Sequence, residues 1–227
     1  MKTRLFLFDI DGTLLTSLGA GEHSMRLAIQ GRSGRDEDLV GIEIAGRTDA
    51  AIARQLFKRH SIDPTPENFA GFFDDYLYHL ESQLPKKKGQ LMPGILELLN
   101  KLLARDDVAL GLLTGNLERG AKLKLTHYGV WHFFEFGAYA DDSQDRNQLG
   151  YFASARAKLK HGVEFLPENI FVLGDTPHDI ACGRVIGAKT VAIATGGCTR
   201  EQLAAHHPDF LFDNLSDVPG VMSALGL

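Results

Sequence analysis

Leu5-Phe6-Leu7-Phe8-Asp9-Ile10-Asp11-Gly12-Thr13 is the segment that decides the architecture. Its four leading residues are all apolar and two are aromatic, the pattern of a short strand buried on both faces. The run then stops at an acid, and a second acid follows two residues later. Val108-Ala109-Leu110-Gly111-Leu112-Leu113 repeats the apolar pattern, as do Ile170–Leu173 and Thr190–Ala194, with Phe210–Phe212 a weaker fifth run. Between the later runs lie helical patterns. Pro93-Gly94-Ile95 opens one, with Leu96, Leu99, Leu102 and Leu103 at helical spacing and a proline suited to a first turn. Glu118–Tyr128, Gln148–Lys160, Pro177–Ile186 and Ser216–Leu225 read as further helices. Strands alternating with helices of this length predict an α/β fold, a parallel sheet with helices on both faces.

Residues 17–88 break the alternation. They carry helical patterns over Glu22–Gln30, Thr48–His60 and Pro66–Leu84, and no buried strand. Pro85-Lys86-Lys87-Lys88-Gly89 then reads as a solvated connector back to the sheet. A helical insertion just after the first strand also explains the length, because 227 residues exceed one ordinary core without reaching two full domains.

Composition narrows the class. Hydrophobic residues make up 44% and charged residues 23%, a globular balance, and 24 Lys plus Arg against 29 Asp plus Glu leave a net charge of −5. That balance argues against nucleic acid as a partner, whose binding domains are usually basic. Asp9 and Asp11 interrupt the N-terminal apolar run, so it reads as neither secretory signal nor membrane span, and no other run approaches spanning length. Cys182 and Cys198 fit no disulfide framework or zinc spacing. The expectation is a soluble, cytoplasmic protein.

Three of the strong strands end in groups able to do chemistry: Asp9 and Asp11 after the first, Thr114-Gly115-Asn116 after the second, and Gly174-Asp175-Thr176-Pro177-His178-Asp179 after the third. The Thr190–Ala194 run lacks such an ending, and Gly196-Gly197 beyond it reads as a turn. Any one of these acids could be a helix cap or turn former. In a parallel sheet, however, ligands bind outside the carboxyl ends of the strands, so the topology would bring all these groups to one place. Clustered carboxylates repel unless a hard cation neutralises them. Oxygen ligands of this kind suit Mg²⁺, which leaves coordination sites for a substrate phosphate.

These motifs resemble the signatures of the haloacid-dehalogenase-like hydrolase superfamily. Asp9-Ile10-Asp11-Gly12-Thr13 matches the first, Thr114-Gly115-Asn116 looks like the second, and Gly174–Asp179 resembles the fourth. The resemblance runs the length of the chain and implies a Rossmann-like core, with a helical cap inserted between the first two signatures. The expected division is therefore a core of residues 1–16 and 89–227 and a cap of residues 17–88.

By the same resemblance Asp9 is the nucleophile that takes the phosphoryl group, and Asp11 the general acid and then base. Thr114, with the Gly115 and Asn116 amides, would donate hydrogen bonds to the transferring group. The metal set would be Asp9, the backbone carbonyl of Asp11, Asp175 and Asp179, with Asp179 either ligating or holding metal-bound water. Members that cleave carbon–halogen bonds lack an acid at the second position, so Asp11 favours phosphate esters. The third signature departs from the common pattern. No Lys-Pro appears in Asp141–Leu149, and Arg146 is the residue expected to neutralise Asp9 and the phosphoryl group.

Gly46-Arg47-Thr48-Asp49 is similar to the segment that begins a cap helix in phosphoglycolate-phosphatase and β-phosphoglucomutase relatives. Thr48 is a good N-cap, and Arg47 is placed to meet the anionic end of a substrate. Among the histidines only His178 sits beside the acidic loop. The expected activity is Mg²⁺-dependent hydrolysis of a small phosphorylated metabolite by a monomer or homodimer. The rivals are a phosphomutase of the β-phosphoglucomutase type and a phosphate-ligand-binding regulator without turnover.

Overall fold

A computed structural model describes residues 1–227. Six parallel strands form the main sheet: β1 (Arg4–Phe8), β4 (Val108–Leu113), β5 (Gly137–Ala138), β6 (Ile170–Gly174), β7 (Lys189–Ile193) and β8 (Phe210–Phe212). Their order is β5-β4-β1-β6-β7-β8. The chain leaves β1 toward one side of the sheet and later returns to the other, so β1 lies at the switch point, flanked by β4 and β6. Phe8 is in register with Leu112 on one side and Leu173 on the other, which aligns the three strand ends.

The apolar runs are explained by what covers the sheet. Leu5 and Leu7 point into a cluster with Leu149, Ala153 and Ala157 of α6 (Arg146–His161) and Cys182 of α7 (Pro177–Val185). Phe6 and Phe8 point the other way, toward Leu98, Leu99 and Leu102 of α4 (Ile95–Leu103), Ala121 and Leu125 of α5 (Glu118–His127), and Val221 of α9 (Val218–Ala224). Each β1 residue from Leu5 to Phe8 is fully buried. Alternate side chains thus serve opposite cores, which is why the strand shows no polar alternation.

Helices α1 (Ala20–Ser33), α2 (Asp49–His60) and α3 (Pro66–Gln83) occupy the interrupting segment. They have an apolar cluster of their own, including Met25, Ile29, Leu56, Phe57, Phe72 and Leu80, joined from the rest of the chain by Leu117 and Ala140. Glu37 is buried within this segment and holds Arg59 and His60 at 2.8 and 2.7 Å.

The structure corrects the sequence reading where elements are very short. The lysine-rich stretch is a solvated connector, with Pro85, Lys86 and Lys88 exposed, but it begins in a 3₁₀ turn over Leu84–Lys86. Beyond it β3 (Gln90–Leu91) pairs antiparallel with β2 (Leu15–Thr16), so both connections to the helical segment run through one two-stranded ribbon. Helix α8 (Arg200–Ala204) and strand β5 lie outside the elements that the sequence pattern predicts. Two-residue strands and a five-residue helix are too short for any periodicity to register.

Candidate active site

Asp9, Asp175 and Asp179 present carboxylate oxygens within 4.8 Å of one another, and all three are buried. The backbone arranges this. The Asp9 amide donates to Leu173 O at 3.0 Å, which ties the end of β1 to β6. Asp175 leaves β6 directly, and Asp179 lies in the first turn of α7, where it completes a capping box with Thr176. Arg146, the first residue of α6, is N-capped by Asp145 and is itself buried. Its Nη2 donates to Asp9 Oδ1 at 2.8 Å and to Asp179 Oδ1, while Nη1 donates to Gly46 O at 3.2 Å. The arginine expected to face Asp9 therefore does so. Asp179 uses Oδ1 on Arg146 and Oδ2 on the Thr176 amide and hydroxyl, an arrangement closer to a support for Arg146 than to a free metal ligand.

Burial dominates the electrostatics. It pushes Asp9 up to about 6 against the opposing pull of Arg146, with Asp179 and Asp11 adding to the rise. Burial with Asp9 and Asp179 nearby raises Asp175 to about 8. Burial also opposes the charge of Arg146, but Asp179 and Asp9 together outweigh it and hold the guanidinium more firmly protonated than usual. One cation does not satisfy three buried carboxylates. A hard divalent ion with oxygen ligands fits this donor set, with Asp9 and Asp175 the side chains most free to hold it.

The folded chain keeps protons on Asp9 and Asp175, and on Asp49 described below, that the unfolded chain releases near pH 4. Stability should then fall as pH rises through the window from about 4 to 8. Thermal midpoints measured without divalent ions should drop by several degrees across it, at about 2–4 °C per kcal/mol for this length. Millimolar Mg²⁺ should raise the midpoint more at pH 8 than at pH 5, since it favours the ionised carboxylates. Equal Mg²⁺ shifts at both ends would contradict a cation site on these acids.

The end of β4 supplies the other half of the site. Thr114 is fully buried, and its Oγ1 accepts from the Asn116 amide at 3.3 Å and from Asn116 Nδ2 at 2.9 Å, leaving the hydroxyl proton to be donated. Asn116 Nδ2 also reaches Asp11 Oδ2 at 2.9 Å. Sequence reasoning missed a further member. Lys124 of α5 donates from Nζ to Asp11 Oδ2 at 2.6 Å and to Asn116 Oδ1 at 2.7 Å. A signal was present, because Leu117, Ala121, Lys124 and Leu125 share one face of the helix and Lys124 interrupts that apolar stripe.

The helical segment closes over these groups through the loop before α2. Asp49 N donates to Gly115 O at 2.7 Å, Leu117 N donates to Asp49 Oδ2 at 2.9 Å, and Thr48 Oγ1 donates to Gln144 O at 2.9 Å. Thr48 also caps α2, accepting from Ala51 N. Burial pushes Asp49 up to about 7, against the pull of Lys124 and the Leu117 amide. Gly115 is required by this approach, since a Cβ there would stand 2.2 Å from Arg47 O. Arg47 lines the cleft but is paired with Glu43 and partly exposed. His178 packs against Gly46, where an added Cβ would meet its ring at 2.4 Å, and it does not line the cleft.

The cleft, a cavity of about 430 Å³, takes in Asp9, Asp11, Gly115, Asn116, Lys124, Arg146 and Asp175, with Met25, Ile52 and Tyr76 from the helical segment. Thr195, Gly196 and Gly197 line it too, so the end of β7 belongs to the site after all. Thr195 Oγ1 donates to Gly12 O at 2.6 Å, and a Cβ on Gly196 would overlap Asp175. The glycine pair is a close approach to the acidic cluster rather than only a turn.

Known proteins resemble this chain in sequence and in fold. The chain is 26% identical over 229 residues to the probable phosphatase IndB of Dickeya dadantii, covering 97% of this chain and 94% of that protein. It is 26% identical over 230 residues to a phosphoglycolate phosphatase of Vibrio vulnificus, covering 97% and 96%. Among solved structures, CbbY from Rhodobacter sphaeroides in complex with phosphate superposes with a TM-score of 0.76 at 19% identity, covering 99% of this chain and all of that one. The family model for haloacid dehalogenase-like hydrolases matches residues 6–193, from β1 through β7. With that match spanning the strand ends just described, the chain belongs to the haloacid dehalogenase-like hydrolase family.

Proposed function

We propose that the protein is a Mg²⁺-dependent phosphatase that hydrolyses a small phosphorylated metabolite through an aspartyl-phosphate on Asp9. The observation that carries this reading is Asp9 at the switch point, 2.8 Å from a buried arginine, clustered with Asp175, and two residues from a second carboxylate. Helices α1–α3 act as the cap over residues 1–16 and 89–227. Asp9, Asp175 and the Asp11 carbonyl would hold Mg²⁺, whose charge would let the carboxylate and the phosphate dianion approach. Arg146 holds the Asp9 carboxylate and offers a second cation to the phosphoryl oxygens. The Thr114 hydroxyl and the Gly115 and Asn116 amides steady the charge on the transferring group. Asp11 protonates the leaving oxygen and then takes the proton of the attacking water. Asp179 keeps Arg146 in place, and Arg47 meets the far end of the substrate once released from Glu43.

Phosphoglycolate-like and sugar phosphates are the substrate class of this reading, which the phosphoglycolate phosphatase among the relatives supports. No helix is long and apolar enough to cross a membrane. The free thiols Cys182 and Cys198 accord with a reducing cytoplasm. The test is inorganic phosphate release from a panel of phosphorylated metabolites, with Mg²⁺ and with EDTA. Release that depends on Mg²⁺ is expected. An isomerised sugar phosphate without release would favour a phosphomutase, and ligand binding without any chemistry would favour a regulator.

A further inference from the structure

We propose that Lys124 is a positioning residue, which fixes the oxygen of Asp11 that exchanges protons with the leaving group and steadies the charge Asp11 then takes on. The proposal rests on the phosphatase reading, in which Asp11 is the acid and base.

Lys124 belongs to the inward face of α5 with Ala121 and Leu125, and its side chain is only 4% exposed. A buried ammonium loses its hydration and is tolerated only where partners replace it, so an aliphatic residue would fill this stripe at lower cost. The partners present are both in the cleft. Nζ donates to Asp11 Oδ2 and to Asn116 Oδ1, and Asn116 Nδ2 donates back to the same Asp11 Oδ2. The three side chains form a closed ring. Asp11 Oδ2 thereby accepts two donors, while Oδ1 has no protein partner, and the side chain stays 44% exposed. One oxygen is held and the other is left for the reaction. The ammonium also lies under the first turn of α1, where a Cβ on Gly21 would stand 3.5 Å from Nζ. The ring is therefore roofed by α1 of the helical segment.

The chemistry balances without a further reactant. As the Asp9–phosphorus bond forms and the bond to the leaving oxygen breaks, the proton on Asp11 Oδ1 passes to that oxygen. Asp11 becomes a carboxylate, and the charge delocalised onto Oδ2 already faces the Lys124 ammonium. In the second step Oδ1 takes a proton from the water that attacks phosphorus. Lys124 keeps its own protons throughout.

This role makes a selective prediction, because a nitrophenolate leaves without a proton whereas an alkoxide does not. The measurement is kcat/KM, which reports events through cleavage of the leaving-group bond, for aryl and alkyl monophosphates with Mg²⁺. Lys124→Met should lose on the order of 10²-fold more on alkyl phosphates than on p-nitrophenyl phosphate, the range of general acid catalysis. Lys124→Gln, which keeps a donor without the charge, should show the same selective loss, and Lys124→Arg should recover part of it. Thermal melts of each variant establish that it is folded. An equal loss across the series, or none, would overturn the proposal while leaving the phosphatase reading intact. Absence of turnover of every member by the wild-type chain would overturn both.

Discussion

Asp9→Asn should lower phosphate release by at least about 10⁴-fold, the scale seen when a nucleophile is removed and binding groups remain. The substitution is nearly isosteric, and the amide oxygen can still accept from Arg146 Nη2, now 2.8 Å from Asp9 Oδ1. The amide cannot attack phosphorus. Its effect on stability should be small, because two changes oppose each other. The folded chain loses an ion pair with Arg146, but it also loses a carboxylate whose ionisation burial disfavours, as its rise to about 6 indicates. A thermal midpoint within a few degrees of wild type, together with a near-complete loss of turnover, separates chemistry from folding. Metal-independent turnover that survives in Asp9→Asn would sink the mechanism.

Arg146→Ala should be damaging in two ways at once. Activity should fall by about 10³-fold, since the side chain is a preorganised cation beside the transferring group. Stability should fall by about 3–5 kcal/mol, the usual consequence of removing one partner of a buried charge network. Both effects come from a single guanidinium that spans Asp9, Asp179 and Gly46 O. The Gly46 contact adds a third consequence, because it links Asp9 to the loop through which the helical segment docks. KM should therefore rise along with the fall in kcat. Arg146→Lys should be intermediate, since one ammonium restores the charge but cannot bridge three acceptors in a fixed plane. Urea unfolding gives the stability change and steady-state kinetics the activity change. A variant with wild-type turnover would remove Arg146 from the site.

The parts of this site that the sequence announced are those fixed by the sheet. Asp9, Thr114 and Asp175 each follow an apolar run, so topology alone aims them at one crevice. Arg146 could be placed because it lies upstream of one helix and β6, although no Lys-Pro marked it and α6 starts at Arg146 rather than at Gln148. Lys124 was harder, since it stands in a helix with Lys122 two residues away, and only the helical phase distinguishes the inward lysine from the solvated one. Thr195 and Gly196 carried no signal because a glycine pair after a strand looks like any turn; what it permits is a close approach to Asp175. The same holds for the β2–β3 ribbon, whose two-residue pairing exists only because the chain returns to the place it left. Residues 17–88 read correctly as helical, yet their docking through Asp49 and Thr48 depends on backbone groups at Gly115, Leu117 and Gln144. Backbone partners leave no trace in side-chain pattern.

The central claim is that the phosphoryl group passes through Asp9. Its most direct test is to mix the Asp11→Asn variant with p-nitrophenyl phosphate, whose leaving group needs no acid, and Mg²⁺, quench in acid, and map the peptides by mass. Without a base to activate water, the intermediate should accumulate. The account predicts the mass of one phosphoryl group on the peptide containing Asp9, absent from the Asp9→Asn, Asp11→Asn double variant. Product formed in the first turnover with no phosphoryl group on that peptide, or with the group on another residue, would contradict it.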